Sequence, residues 1–168
     1  MSMAVSIVQA DYSLPAHAEA VVMMLNAYAL DIAGGGEALS AFAMTNLVRE
    51  LAARPQVYSI LAFDGAAPVG LVNCIEGFST FACKPLVNVH DVAVLASHRG
   101  RGVAAQMLSL AEAIARRRGA VKMTLEVLTG NKSALTLYQR LGFDGYQLDP
   151  SMGTATFMQK LLPAPSAQ

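Results

Sequence analysis

Residues 92–104, Val-Ala-Val-Leu-Ala-Ser-His-Arg-Gly-Arg-Gly-Val-Ala, leave this chain few folds to choose from. An apolar run enters a loop with two glycines and two arginines and leaves it as an amphipathic helix. So apolar a strand belongs inside a sheet, and the helix must lay Val103, Met107, Leu110, Ala111 and Ile114 against that sheet. The junction also carries chemistry. The first N–H groups of a helix have no partner one turn back, and the helix dipole adds positive charge there. Gly100 and Gly102 have no Cβ to hold a ligand away, and Ala104 keeps the opening small-walled. A phosphate or pyrophosphate suits such a place, with Arg99 and Arg101 adding charge or anchoring the loop.

Upstream, residues 5–10 read as a short strand. Ala18, Val21, Val22, Leu25, Ala29 and Ile32 then share one helical face, ended by Gly34, Gly35 and Gly36. A second helix is expected over 37–53, striped by Leu39, Phe42, Leu47 and Leu51, with Pro55 beyond it. The period then becomes two: a strand over 57–63, a turn at Asp64-Gly65, and a paired strand over 69–75, its continuation towards Cys83 left open. The apolar run 86–95 follows. Downstream, 121–128 reads as a strand and 131–141 as a helix capped by Asn131 and ended by Gly142. Residues 143–148 and 154–161 look like a closing strand pair. One domain over 1–168 is expected, with 163–168 as a frayed tail.

Composition narrows the function. Twelve basic and twelve acidic residues cancel, which removes the electrostatic footprint of a general nucleic-acid binder. Arg116, Arg117 and Arg118 precede Gly119 and fit a solvated helix end instead. Hydrophobic residues make up 54% of the chain, which raises the question of a membrane. Yet the apolar run 20–30 lies between Glu19 and Asp31, far short of the roughly 20 residues of a span. Residues 1–9 hold no Lys or Arg, unlike a signal peptide's leader, so a cytoplasmic protein without membrane contact is expected. The apolarity must then serve the core or a partner surface, and a homodimer is expected. Cys74 and Cys83 are too few for a disulfide framework or a structural zinc site; buried reduced thiols and no metal are expected.

Gly100-x-Gly102-x-x-Ala105 also fits the dinucleotide fingerprint, with Glu126 about 20 residues further on. That fingerprint opens the first strand–helix turn of a doubly wound sheet. Here it follows two helices and a hairpin, and the 63 residues after Ala105 cannot supply the repeated units. A second block decides between the readings. Asn131 is an ordinary helix cap and Tyr138 lies on the stripe Ala134–Tyr138–Leu141, so each alone would be structural.

Together, Arg99-x-x-Gly102-x-Ala104 followed by Asn131-x-x-Ala134-x-x-Leu137-Tyr138-x-x-x-Gly142-Phe143 resembles the GNAT superfamily of acetyl-CoA-dependent N-acetyltransferases. The resemblance covers the whole chain in element order and is strongest over 90–143; Ala96 stands where the family often has proline. It implies an α/β (α+β) fold: a mixed, mostly antiparallel central sheet flanked by helices and splayed between the fourth and fifth strands. It also implies that the backbone of Val92, Ala93 and Val94 bonds the pantetheine arm of acetyl-CoA. The amides of Arg99, Gly100, Arg101, Gly102, Val103 and Ala104 would cradle its pyrophosphate, Asn131 would contact the arm, and Tyr138 would face the sulfur.

The implied reaction is direct attack of a small-molecule, amino-acid or peptide amine on the thioester in a ternary complex. An N–H near residues 92–94 would stabilise the oxyanion, and Tyr138 would act as the acid. His90 and Asp91 are the first candidates for the base, with Glu76 and Glu126 behind them. Residues 31–42, 76–85 and 149–154 would shape the acceptor cleft. Their few acids, Asp31, Glu37, Glu76 and Asp149, favour a monoamine over a polycation. Phe78 and Phe81 belong either to that cleft or to the core. A non-catalytic acyl-CoA sensor is the alternative.

Overall fold

The computed structural model describes residues 5–162. Its strands are β1 (Ser6–Gln9), β2 (Val57–Asp64), β3 (Ala67–Ser79), β4 (Lys84–Val94) and β5 (Met123–Leu125), and they lie in one sheet in chain order. The first four are antiparallel, while β4 and β5 run parallel. A parallel neighbour needs a crossover, and α3 (Val103–Arg117) supplies it. The other helices are α1 (Pro15–Leu30), α2 (Ala41–Ala52) and α4 (Lys132–Arg140). This is the expected mixed, mostly antiparallel sheet flanked by helices.

Strand alternation sends side chains to two cores. On one face Leu61, Leu71 and Ala93 meet Ala20, Val21 and Met24 of α1, with Leu47 and Leu51 of α2 at the margin. On the other, Ile60, Val72, Cys74, Val87 and Val89 meet Val103, Met107, Leu108, Ala111 and Ile114 of α3, and Tyr138 of α4. Each fully buried Leu, Ile or Val contributes about 1.5–3 kcal/mol, so both faces hold the sheet in place.

Helix ends follow local chemistry. Pro15 opens α1, where its missing N–H costs nothing. The second helix starts at Ala41 rather than at 37, because the Ser40 hydroxyl accepts the Ala43 N–H at 3.1 Å and fixes the cap there. The chain before it is tied to α1 instead, through Leu39 N–H to Asn26 Oδ1 at 3.0 Å. Asn131 caps α4 through Ala134 N–H at 3.2 Å. At its other end Phe143 N–H returns to the Tyr138 carbonyl at 3.0 Å, with Gly142 left-handed at φ 89°.

Three expectations change. The fifth strand spans only Met123–Leu125, pairing Val87 through Val89, and beyond Val89 the strands part. The closing strand pair does not form: among the described residues no ladder includes 143–148 or 154–161. Leu148 and Phe157 are each 75% exposed there, and Met158 and Leu161 84%. Apolar residues alone make no strand when no sheet face is offered to bury them. Cys74 is buried as expected, but Cys83 is exposed in the β3–β4 turn. Phe78 and Phe81 are exposed beside it, so they are not core. The tail 163–168 lies outside the described residues.

Candidate active site

A strap on each side holds the glycine loop. His98 Nε2 meets Asp64 Oδ2 of the β2–β3 turn at 3.1 Å. Arg99 donates from Nε to the Val94 carbonyl at 2.9 Å and from its terminal nitrogen to Asp31 Oδ2 at 2.8 Å. Arg99 therefore anchors the loop to the end of α1. The Ala33 N–H and then Arg99 hold the Asp31 carboxyl below its usual range. Between the straps, Gly100 and Gly102 are left-handed at φ 74° and 76°, a conformation that costs other L-residues about 1–2 kcal/mol. A Cβ on Gly100 would meet nothing within 4 Å, and one on Gly102 only the Gln106 amide nitrogen at 4.0 Å. Space for a ligand lies directly over the backbone.

The start of α3 is bare. No side chain caps it, and the first bond back to Gly102 is the one from Gln106 N–H, at 3.1 Å. The N–H groups of Val103, Ala104 and Ala105 thus face the open space with the positive end of a 15-residue helix behind them. A diphosphate fits this cradle, because it supplies the acceptors the amides lack.

Next to the loop, β4 loses its β5 neighbour after Val89, so residues 90–94 have a free edge along the gap. His90 is an extra residue in the ladder: Cys74 pairs with Val89 and Asn73 with Asp91. This bulge changes the phase of β4. Val87 and Val89 face the α3 core, whereas Ala93 faces the α1 core.

Tyr138 reaches the gap from α4, its ring edge-on to Phe143 at 5.9 Å. Burial, and then the nearby Tyr28, push its phenol up to about 12. Two other interior tyrosines spend their hydroxyls: Tyr58 donates to the Ala111 carbonyl at 3.1 Å, and Tyr12 pairs with Ser59 at 2.8 Å. Among the described residues Tyr138 has no such partner, and no buried polar atom is sealed off unpaired. A proton-bearing phenol at a gap, spent on nothing, is available to a ligand.

Residues 27–143 match the sequence profile of the acetyltransferase (GNAT) family. The chain belongs to the GNAT acetyltransferase family. It is therefore an acyltransferase, and acetyl-CoA is the donor that family uses. It is 28% identical over 151 residues to a streptothricin acetyltransferase of Streptomyces lavendulae, covering 77% of this chain and 75% of the relative. It is also 34% identical over 83 residues to the N-alpha-acetyltransferase MAK3 of Arabidopsis thaliana, covering 49% of this chain and only 43% of the relative. Among solved structures, AAC(6')-Iy bound to the bisubstrate analogue CoA-S-monomethyl-acetylneamine superposes with a TM-score of 0.73. That match has 19% identity and covers 95% of this chain and 99% of the other, and it supports the fold.

In this GNAT domain the other candidates divide clearly. Glu76 is bonded to Arg118 at 3.2 Å, and Arg118 in turn lies over the Tyr58 ring at 4.7 Å, which is a structural ion pair. Glu126 is exposed and accepts from Asn88 Nδ2 at 3.2 Å. Asn131 spends Oδ1 on Ala134 N–H and the Ser133 hydroxyl, leaving its NH₂ group. His90 is exposed on the bulge. Asp91 is half-buried and accepts from Asn73 Nδ2 at 3.0 Å. Sequence reading missed Tyr28, Tyr12, Ser59 and Asn73. Burial first, then Asp91 and Asp31, raise the Tyr28 phenol. The available signal was a lone Ser and a lone Asn in two apolar strands.

Proposed function

We propose that this chain moves the acetyl group of acetyl-CoA to a primary amine of a small molecule, amino acid or peptide, by direct attack with both substrates bound. The observation that carries the reading is the pairing of an open amide cradle with a buried, unspent phenol on either side of one gap in the sheet. Acetyl-CoA supplies an activated thioester. The amides of residues 100–104 hold its diphosphate, and the free edge of β4 at Val92, Ala93 and Val94 takes the pantetheine arm as an extra strand would. Asn131 offers its NH₂ group to that arm. A β4 N–H at the gap stabilises the oxyanion, a role in which one donor contributes roughly 2.7–4 kcal/mol. Tyr138 donates a hydrogen bond to the departing sulfur. At the amine side stand His90 and Asp91, of which Asp91 is fixed in place and faces the α1 side of the sheet.

The charges favour a small monoamine over a polycation. Asp31 is committed to Arg99, Glu76 to Arg118, and Asp149 turns back on Ser151, which leaves the cleft few free carboxylates. The relatives named for streptothricin and for protein N-termini set the range of acceptors to try.

Release of coenzyme A thiol from acetyl-CoA tests the reading with five amines: phenethylamine, an Ala-Phe dipeptide, spermidine, kanamycin and streptothricin. Turnover with mass-identified N-acetyl product is expected, highest for a monoamine. No thiol release with any of the five, despite measurable binding of acetyl-CoA, would overturn the enzyme reading in favour of a sensor.

A further inference from the structure

A row of polar side chains crosses the sheet face that α1 covers. Ser59 on β2 is paired in register with Asn73 on β3, and Asn73 with Asp91 on β4. The next row on the same face is Leu61, Leu71 and Ala93, packed under α1. Ser59 is fully buried and Asn73 is 5% exposed. Burying such groups costs stability unless every donor and acceptor is matched, so a polar row here needs a reason beyond packing.

The hydrogen bonds run one way. The Asn73 amide donates to Asp91 Oδ2 at 3.0 Å, which turns its carbonyl oxygen towards Ser59. That oxygen accepts the Ser59 hydroxyl at 2.6 Å, so the Ser59 proton is used there. The contact between Tyr12 and Ser59, 2.8 Å long, must then be donated by Tyr12. Every donor points towards the Asp91 carboxylate, as expected of a chain that ends on an anion. Only Oδ2 is taken; among the described residues Oδ1 meets no donor. The bulge at His90 keeps Asp91 in register with Asn73, on the part of β4 that has lost its β5 neighbour after Val89.

We propose that Asp91 receives the acceptor's ammonium group on its free oxygen, and that Tyr12, Ser59 and Asn73 are positioning residues that hold that carboxylate in place. The inference rests on the acetyltransferase reading above and names its amine-binding group. Tyr12 lies in the turn before α1 and packs on the same face, so the chain of four side chains runs from Asp91 across β3 and β2 to that turn.

The test is a set of kinetic cycles with acetyl-CoA and whichever of the five amines turns over best. Asp91→Asn is expected to raise the amine KM and cut kcat/KM at least about 100-fold, while acetyl-CoA affinity changes less than about twofold. Asn73→Ala should cut kcat/KM for the amine about 10-fold or more, and the outlying Tyr12→Phe about two- to fivefold. Ser59→Ala should behave like Asn73→Ala, and Ser59→Thr, which keeps the hydroxyl, should recover most of the loss. In an Asp91→Asn background none of the three should cost anything more, because they act only through Asp91. Losses that add in full to Asp91→Asn, or an Asp91→Asn enzyme with wild-type amine kinetics, would overturn the proposal. The two readings fail separately: if Tyr138→Phe is slowed while Asp91→Asn is not, only this inference falls. If no amine turns over, the acetyltransferase reading itself has failed.

Discussion

Replacing Tyr138 by Phe removes one hydroxyl and nothing else. Burial holds that phenol near 12, whereas a free thiol titrates at about 8.5. Complete proton transfer to a departing thiolate is therefore uphill by roughly 5 kcal/mol, at about 1.4 kcal/mol per unit. Tyr138 acts instead as a hydrogen-bond donor to charge that develops on sulfur. A hydrogen bond to a charged group contributes about 1.5–3 kcal/mol, so kcat should fall about 10- to 150-fold. Because the bond forms only as charge appears, kcat and kcat/KM should fall together, with acetyl-CoA affinity unchanged within about twofold.

Stability should hold in this variant. The ring keeps its edge contact with Phe143 at 5.9 Å, and among the described residues the lost hydroxyl has no hydrogen-bond partner. The melting temperature should stay within about 2 °C. Thiol-release kinetics, calorimetry with coenzyme A and a thermal melt together make the assay. The pH profile adds a sign: a phenol raised above its usual value keeps its proton to higher pH, so the wild-type rate should show no loss of this acid between about pH 9 and 10.5. A Phe variant with wild-type kcat, or one whose slowing is matched by an equal loss of acetyl-CoA affinity, would rule out this role for Tyr138.

Four further outcomes are expected. Gly102→Val forces a β-branched residue to φ 76° and puts methyl groups into the cradle; coenzyme A should bind at least about 10-fold more weakly by calorimetry. Asn131→Ala loses the cap on Ala134 N–H, about 1 kcal/mol, and should lower the melting temperature by about 2–4 °C. Burial pushes the Cys74 thiol up to about 12, so iodoacetamide at pH 8 should label Cys83 alone in the native chain, as peptide mass mapping would show. The folded chain also keeps the Cys74 proton to higher pH than the unfolded chain does. Stability measured in urea should accordingly be full below about pH 8.5 and decline as pH rises towards 12.

The second half of the chain was largely legible because its signals are local. Gly102 before an apolar stripe, Asn131 as a cap and Gly142 as a stop each act within one helical turn, and α3 and α4 lie where these residues put them. Errors arose where the outcome depends on a distant neighbour. Residues 154–161 hold apolar side chains such as Phe157 and Leu161, yet β5 offers only three residues of pairing. The fifth strand was read as 121–128, but it leaves the sheet where the gap opens, which no residue within it announces. The second helix starts at Ala41 and not at 37 because Ser40 caps it and Asn26 holds the loop before it. The site divides in the same way. The loop and Tyr138 are contiguous motifs, whereas Tyr12, Ser59, Asn73 and Asp91 become one row only through register, across a bulge at His90.

If backbone amides between Gly100 and Ala104 hold a diphosphate, an amide NMR titration of the ¹⁵N-labelled chain with coenzyme A will register it. Saturable shifts are expected, centred on Gly100, Arg101, Gly102, Val103 and Ala104 and continuing along Val92, Ala93 and Val94. Unmoved amides in that loop, whether coenzyme A fails to bind or binds elsewhere on the fold, would contradict it.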